Sequence, residues 1–316
     1  MKFIYLSDLH LRAKRPLGRI DEDYFEAQFN KLGQIKEIAV KEDIKVIIIG
    51  GDIFDSNKGS LYLLYRTMEF FRDWAKEGIT IYSLAGNHDM LGQNIDALNK
   101  TFLGIMFASG HILKLEEEEF KEATINGIDY RLIPDPNYSL KTLSKKYSDL
   151  KRIIVSHDMI TPNANFPFEV LPISKIKTSA DLVLCSHYHI PFVKKNKDTL
   201  FINPGSMMRI KHTTENVERQ PQIAIINVTK NKIDYKLIKL KAKKGTAVFD
   251  VAAKKEIIEA ELRLEEFFSG LTSMNNTDEK FDIESALHIL KKEKKIEKEI
   301  YEEALNRIQQ AKEGVE

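Results

Sequence analysis

Five short polar clusters carry most of the histidines of this 316-residue sequence. They combine carboxylate, imidazole and amide side chains, a donor set that suits Mn²⁺, Fe²⁺ or Zn²⁺. Because the sequence has 1 cysteine, a structural zinc site built from several thiolates is disfavoured. In chain order, the clusters are Asp8-Leu9-His10, Gly51-Asp52-Ile53-Phe54-Asp55, Gly86-Asn87-His88-Asp89, Ser156-His157 and Ser186-His187-Tyr188-His189.

Each cluster also has an ordinary explanation when it is taken alone. A Gly-Asp pair after a strand is usually a turn, and Asn-His-Asp could form only local hydrogen bonds. Five of the 8 histidines nevertheless fall in these clusters, which favours one shared metal site. The other three, His111, His212 and His288, are predicted to be structural or solvated.

Each cluster follows a short apolar run that is typical of a buried strand. Helical spacing of apolar residues at Asp21–Asp43 and 60–77 separates the first three runs. This alternation predicts an α/β sandwich in which the carboxyl ends of the strands meet at one crevice. The predicted strands are Lys2–Leu6, Val46–Ile49, Ile79–Leu84, Ile153–Val155 and Leu182–Leu184, followed by Leu200–Ile202, Ile223–Val228 and Ile233–Leu240.

The spacing within two of the clusters bears on where their side chains point. In extended backbone, residues i and i+2 face the same side. We therefore expect Asp8 with His10, and His187 with His189, each to direct two ligands into the crevice.

The net charge of +1 averages two segments of opposite charge. Residues 1–245 hold 37 Lys and Arg against 30 Asp and Glu, whereas residues 246–316 hold 11 against 17. The second segment also has apolar residues at helical spacing. We therefore predict two domains, one over 1–245 that carries the five polar clusters and a helical tail over 246–316.

The ordered series D-x-H, GD-xx-D, GNHD, H and H-x-H resembles the calcineurin-like metallophosphoesterase family over roughly residues 1–210. Within it, Ile48–Asp55, Ala85–Asp89 and Asn203-Pro204-Gly205-Ser206 are similar to the SbcD-type nuclease subunit of bacterial and phage repair complexes. The resemblance implies a four-layer α-β-β-α metallophosphoesterase sandwich, with a C-terminal helical extension in this chain.

The resemblance also implies a binuclear centre with two divalent ions, Mn²⁺ first and Fe²⁺, Zn²⁺ or Mg²⁺ as alternatives. One metal would be bound by Asp8, His10 and His189. The other would be bound by Asn87, His157 and His187, with Asp52 as the bridge. His88 would stay off the metals as the catalytic histidine, while Asp55 or Asp89 would orient His88 or a ligand histidine.

The chemistry of phosphodiester hydrolysis is consistent with those roles. Two cations neutralise the charge of the phosphate and activate a water molecule. One carboxylate has two oxygens for two cations, so Asp52 suits the bridge. An unligated imidazole such as His88 can protonate the leaving oxygen near neutral pH.

The substrate is the less constrained part of the prediction, because this fold hosts many phosphoesterases. The second cluster ends in Asp55-Ser56 where a protein phosphatase has Asp-Arg-Gly, which argues against that class. Basic residues beside the motifs favour DNA phosphates. They are Arg12, Lys14, Arg15 and Arg19 after the first cluster, and Lys194, Lys195, Lys197, Arg209 and Lys211 around the last.

We therefore predict a metal-dependent DNA exonuclease or endonuclease in DNA repair or recombination. An acidic tail would repel DNA, so residues 246–316 are expected to bind a protein. The resemblance implies that this partner is an SbcC-type SMC-like ATPase. Two alternatives stay open: a nucleotide or small-molecule phosphodiesterase of the same fold, and a non-catalytic scaffold subunit. A homodimer and a cytoplasmic location without membrane contact are further expectations, since no signal peptide or apolar stretch of membrane-spanning length is evident.

Overall fold

The computed structural model describes residues 1–16, 18–92, 94–115, 123–125, 128–135, 151–164, 166, 170–250 and 301. The chain divides into two units, Met1–Val251 and Ala252–Glu316, and the fold described below belongs to the first. Apart from residues 246–250 and Tyr301, the predicted helical tail lies outside the described residues. The domain boundary at residue 245 and the helical extension stay predictions.

The first sheet has six strands in the spatial order β14-β13-β1-β2-β3-β4. Strands β1 to β4 run parallel to one another, and β13 and β14 complete the sheet in antiparallel pairing. The strands are β1 (Lys2–Leu6), β2 (Val46–Ile49), β3 (Thr80–Ser83), β4 (Leu113–Lys114), β13 (Gln222–Val228) and β14 (Ile233–Lys239).

The second sheet has six strands in the order β11-β12-β10-β7-β6-β5. Its four central strands are parallel, and each edge strand is antiparallel to its neighbour. The strands are β5 (Ala123–Ile125), β6 (Ile128–Asp135), β7 (Lys151–Ser156), β10 (Leu182–Cys185), β11 (Phe192–Asn196) and β12 (Thr199–Asn203). A separate two-stranded sheet pairs β8 (Ile160–Thr161) with β9 (Leu171–Pro172).

The described α-helices are α1 (Tyr24–Lys41), α2 (Leu61–Lys76), α3 (Phe102–Ala108) and α4 (Thr214–Glu218). Buried residues of α1, α2 and α3 share one apolar core with one face of the first sheet. Phe71 and Trp74 of α2 are among the largest of these side chains, and both are fully buried. Burial of each such side chain stabilises the fold by about 1.5–3 kcal/mol.

The other face of the first sheet packs against the second sheet. Because side chains alternate along a strand, Phe3 and Tyr5 of β1 enter this inter-sheet core while Ile4 and Leu6 face the helices. The Tyr5 hydroxyl donates a hydrogen bond of 2.8 Å to the carbonyl of Cys185 on β10. The two sheets are therefore joined by apolar contact and by a buried polar contact.

The predicted α/β sandwich is confirmed in its two sheets and in the helical layer on the first sheet. In the described part of the chain, the outer face of the second sheet packs against residues 160–180. Strand β11 was not predicted, because its exposed Lys194 and Lys195 break the apolar pattern. Among the described helices, none has both the length and the apolar character needed to cross a membrane.

Candidate metal centre

All five polar clusters lie at the carboxyl ends of parallel strands. Three follow β1, β2 and β3 in the first sheet, and two follow β7 and β10 in the second. Because the sheets pack face to face, the loops after these strands meet across the inter-sheet boundary. The predicted ligands are thereby gathered from both sheets into one place.

Asp8, His10 and His189 form the first group of ligand atoms, all within 4.8 Å of one another. The Nε2 atoms of His10 and His189 are 2.9 Å apart, and His189 Nε2 lies 3.6 Å from Asp8 Oδ1. Asp8 and His10 are fully buried. This is the group that the family resemblance assigned to one metal.

Asp52, His157 and His187 form the second group, again within 4.8 Å. His157 Nε2 lies 3.2 Å from Asp52 Oδ2 and 3.2 Å from the Oδ1 atom of Asn87. The rings of His157 and His187 are 5.0 Å apart. The structure therefore brings Asn87 to the same place as the other predicted ligands of the second metal.

The Asp52 carboxylate lies between the two groups. Its Oδ2 atom is 3.6 Å from His10 Nε2 and 3.2 Å from His157 Nε2. That oxygen is buried and has no hydrogen-bond partner of acceptable geometry among the described residues. Because an unsatisfied buried carboxylate oxygen is costly, a cation fits this position. The donor set of carboxylate, imidazole and amide oxygen thus suits two divalent metal ions.

Contacts at Nδ1, a hydrogen bond for His157 and an ion-pair contact for His10, orient two of the histidines. His157 donates from Nδ1 to the carbonyl of Gly50 at 2.6 Å, and His10 Nδ1 lies 3.2 Å from Asp55 Oδ1. In each ring Nε2 is left facing Asp52. Such outer contacts orient the ring and select the tautomer of a metal-binding histidine.

The charges of the site are strongly coupled. Burial opposes ionisation of Asp52, but the imidazoles of His157 and His10 hold the pKa of its carboxyl well below the ordinary value. Burial also disfavours the protonated form of His157, yet the Asp52 carboxylate raises the pKa of that imidazole to about 10. Burial and the neighbouring His157 lower the pKa of His187 to about 3.

His88 differs from the ligand histidines because its side chain is exposed. Its Nδ1 donates to the carbonyl of Asp55 at 2.8 Å, and its backbone N–H donates to Asp52 Oδ1 at 2.9 Å. The His88 ring is 4.8 Å from the ring of His10. His88 therefore lies beside both groups. The hydrogen bond that holds its ring is made by Nδ1, so Nε2 takes no part in it.

The two acidic residues predicted to orient a histidine contact different partners. The Asp55 carboxylate lies beside His10 and forms an ion pair of 2.9 Å with Arg12. The buried Asp89 carboxylate accepts backbone hydrogen bonds from Ile53, Phe54 and Gly86. Burial and the Asp52 charge raise the pKa of Asp89 to about 7. Asp89 thus joins two loops, whereas Asp55 faces a ligand histidine.

The backbone at the site is not extended, although the expected direction of the side chains at positions i and i+2 required extended backbone. Asp8, His10, Asp52 and His187 have φ angles of 51°, 44°, 51° and 65°, in the left-handed region. The expectation that extended backbone directs these side chains was wrong. Left-handed turns direct them instead, and His187 and His189 enter different groups. Such conformations cost about 1–3 kcal/mol each and cluster at functional sites.

Gly86 is a requirement of the site that the sequence prediction missed. A Cβ atom at Gly86 would lie 2.1 Å from Asp52 Oδ1 and 2.4 Å from the Asp52 backbone nitrogen. Only glycine allows the third loop to approach Asp52 this closely. The glycine of the GNHD cluster was the available signal, since a glycine beside a ligand often marks close backbone approach.

The remaining histidines lie away from the two groups where they are described. His212 is fully buried and stacks on Phe249 with ring centroids 5.0 Å apart. His111 Nδ1 lies 2.7 Å from the hydroxyl of Ser109. His288 lies outside the described residues.

Comparison with known proteins gives three informative curated relatives. The chain is 33% identical over 85 residues to the DNA double-strand break repair protein Mre11 of Nanoarchaeum equitans (27% of this chain, 23% of the relative). It is 33% identical over 100 residues to exonuclease subunit 1 of phage T4 (30% and 27%). It is 22% identical over 240 residues to Mre11 of Aeropyrum pernix (70% and 56%). The matches thus span about half or less of each relative's length.

The family model for calcineurin-like phosphoesterases matches residues 1–191, which include all five clusters. The predicted resemblance and the prediction of a phosphoesterase are confirmed by this match. Members of the family use divalent metals, in agreement with the two groups of ligand atoms described above and with a third that His10, Asp55 and His88 form. The chain therefore belongs to the calcineurin-like phosphoesterase family.

Proposed function

We propose that this protein is a DNA nuclease that hydrolyses phosphodiester bonds with two divalent metal ions. Mn²⁺ is the first candidate for these ions. The observation that carries the proposal is the position of Asp52 Oδ2 between His10 Nε2 and His157 Nε2. One metal is assigned to Asp8, His10 and His189. The other is assigned to Asn87, His157 and His187, with Asp52 shared.

The bound ions would supply charge neutralisation and an activated water molecule. His88 is proposed to donate a proton to the leaving oxygen, because it is exposed and its Nδ1 is already held by Asp55. Asp55 keeps His10 oriented through Nδ1. Asp89 holds the second and third loops together through backbone amides, so it positions Asp52 and His88.

DNA as the substrate is supported by exposed basic residues that follow the first and the last clusters in the chain. Lys14 and Arg15 follow the first cluster, and Lys194 and Lys195 lie on the edge strand β11 after the last. Such side chains bind backbone phosphates. Arg19 and Arg209, also predicted as DNA contacts, are buried and donate to backbone carbonyls, so they do not belong to this surface.

The names of the relatives support the same substrate, since they are a double-strand break repair protein and an exonuclease subunit. A role in repair or recombination is proposed on this ground. We further propose that residues 246–316, with 17 acidic against 11 basic residues, bind an SbcC-type ATPase. A homodimer and a cytoplasmic location complete the proposal.

The proposal is tested with purified protein and Mn²⁺ on linear duplex DNA, single-stranded DNA and a chromogenic phosphodiester. Asp52→Asn is the inactive control that excludes a contaminating nuclease. Asp73→Asn, an exposed change on α2, is the matched active control. Cleavage of the small ester alone would indicate a small-molecule phosphodiesterase, and two bound ions without any cleavage would indicate a scaffold.

A further inference from the structure

The segment after β12 lies directly against the backbone of two predicted ligands. The Ser206 N–H donates to the carbonyl of His189 at 3.1 Å, and the Met207 N–H donates to the carbonyl of Asp8 at 3.1 Å. Ser206 also forms an isolated β-bridge with Ser7. The segment therefore contacts both of the loops that carry these ligands, the loop with Asp8 and the loop with His189.

This approach depends on Gly205, the residue before Ser206. Gly205 has a φ of 77°, and a Cβ atom there would lie 2.7 Å from the carbonyl oxygen of His189. Glycine alone allows both the left-handed turn and the close contact. The position of Ser206 beside His189 is thus set by the backbone rather than by a flexible side chain.

Arg219 holds the same segment from its other side. Its Nη1 donates to the Ser206 carbonyl at 2.8 Å, and its Nη2 donates to the Ser206 hydroxyl at 2.6 Å and to the Met208 carbonyl at 3.0 Å. The guanidinium thus reaches both ends of one turn of chain. Ser206 and Met208 are fully buried, so water does not replace these bonds readily.

The guanidinium is itself fixed in place. Its Nε donates to the Oδ1 of Asn216 at 2.7 Å, and the Arg219 carbonyl accepts from Arg209 at 3.3 Å. A planar guanidinium with donors in a rigid fork restrains its acceptors in direction as well as in distance. A lysine offers one charged nitrogen and cannot make these contacts at once.

We infer that Arg219 is a positioning residue for the metal centre: by fixing Ser206 and Met208 it holds the backbone of Asp8 and His189. Arg219 hydrogen-bonds through its side chain to neither ligand, so it restrains their backbone through the segment 205–208, while its charge also acts on Asp8 and His189 directly. Arg219→Lys keeps that charge and so separates the two effects. The inference rests on the proposed binding of two metal ions. The effect should be larger at the Asp8–His189 site, because none of these contacts reaches Asn87 or His157, and His187 is linked only through its N–H, which donates to the Asp8 carboxylate at 3.1 Å.

The test is equilibrium Mn²⁺ binding to metal-free full-length protein, with the fold of each variant checked by circular dichroism and thermal unfolding. In Arg219→Met, we expect one Mn²⁺ site to weaken by about 10- to 100-fold, as for other residues that orient metal ligands. The Mn²⁺ affinity of the other site should change by less than about 3-fold. We set this limit for an unaffected site because it is clearly smaller than a roughly 10-fold effect. Arg219→Lys should recover part of the loss.

The matched control is Arg66→Met, which removes a half-buried guanidinium on α2 that pairs with Glu26 and lies over the ring of Phe29. It should lower thermal stability while leaving both Mn²⁺ affinities within the same limit. If Arg219→Met does not fold, Ser206→Ala removes one of the contacts, and we expect a smaller weakening of the same site.

A folded Arg219→Met protein with unchanged Mn²⁺ binding, or with both sites weakened equally, would overturn the inference. Wild-type protein that binds two Mn²⁺ ions but does not cleave DNA would contradict the proposed nuclease activity. The inference about Arg219 would still be tested by Mn²⁺ binding. Wild-type protein that binds fewer than two ions would overturn both.

Discussion

Asp55 Oδ1 lies 3.2 Å from His10 Nδ1, so the carboxylate that ends the second cluster faces the histidine that ends the first. The other oxygen of Asp55 pairs with Arg12 at 2.9 Å. Asp55 is thereby held against His10, and His10 presents Nε2 to Asp8 and His189. A residue that binds no metal in our proposal thus decides how a ligand is presented.

Asp55→Asn should therefore weaken metal binding without unfolding the protein. The amide is neutral, so it loses the ion pair with Arg12 and holds the His10 tautomer less firmly. We expect Mn²⁺ affinity to fall by about 10- to 100-fold, measured by titration of metal-free protein. Asp73→Asn, which alters an exposed ion pair with Lys36, should leave the affinity unchanged. Equal affinity in wild type and Asp55→Asn would show that His10 needs no such partner.

His88→Ala should retain both metal ions and lose hydrolysis. Its exposed ring contacts the Asp55 carbonyl through Nδ1 and binds no metal in our assignment. Loss of a general acid lowers the turnover of DNA by about 10²- to 10⁴-fold. The measurements are single-turnover cleavage and Mn²⁺ stoichiometry, with His111→Ala as the control. If the metal is lost as well, the role given to His88 is wrong.

Gly86→Ala should disrupt the centre from its backbone. The added Cβ would overlap Asp52 Oδ1, so either the third loop or the shared carboxylate must move. We expect about 1–3 kcal/mol of lost stability together with loss of Mn²⁺ binding. Gly33→Ala in α1 is the control, because its Cβ would lie 3.9 Å from Phe70 and would favour the helix by up to about 1 kcal/mol. Normal Mn²⁺ binding by Gly86→Ala would refute this prediction.

Lys31 predicts a pH dependence of stability that is separate from the site. Burial, together with Arg19 and Arg209, lowers the pKa of Lys31 from 10.5 to about 7. Between these values the unfolded chain binds the extra proton, so wild-type stability should rise with pH from about 7 to 10 relative to Lys31→Met. Urea unfolding of both proteins at several pH values measures the difference.

The matched control for that comparison is Lys41→Met, an exposed change at the end of the same helix. Its stability difference from wild type should stay constant over the same pH range. A constant difference for Lys31→Met too would mean that Lys31 titrates in the folded protein at its ordinary pKa.

The strands that carry the clusters could be predicted because each is an apolar run followed at once by polar residues. Val46–Ile49 was predicted with its observed bounds, and the gathering of Asp8, Asp52 and His157 followed from the parallel order of the strands. The direction of each side chain could not be predicted, since left-handed φ angles at Asp8 and His10 depend on the loops packed around them.

Other features were hidden from the sequence for a different reason. Whether Asp55 or Asp89 faces a histidine depends on the approach of two loops about 35 residues apart, which Asp89 joins through backbone amides. Arg219 has no local motif, because its partners Ser206 and Met208 lie on another turn of the chain. Such contacts exist only after both sheets are packed.

The origin of the ligands in two different sheets makes the proposed centre a cross-link between them. Asp8 and Asp52 come from one sheet, while His157 and His189 come from the other. Bound ions would then clasp the sandwich at one edge, as the Tyr5–Cys185 hydrogen bond does within its core. Metal affinity would then depend on the distance between the two sheets, so any substitution that moves one sheet relative to the other should change it.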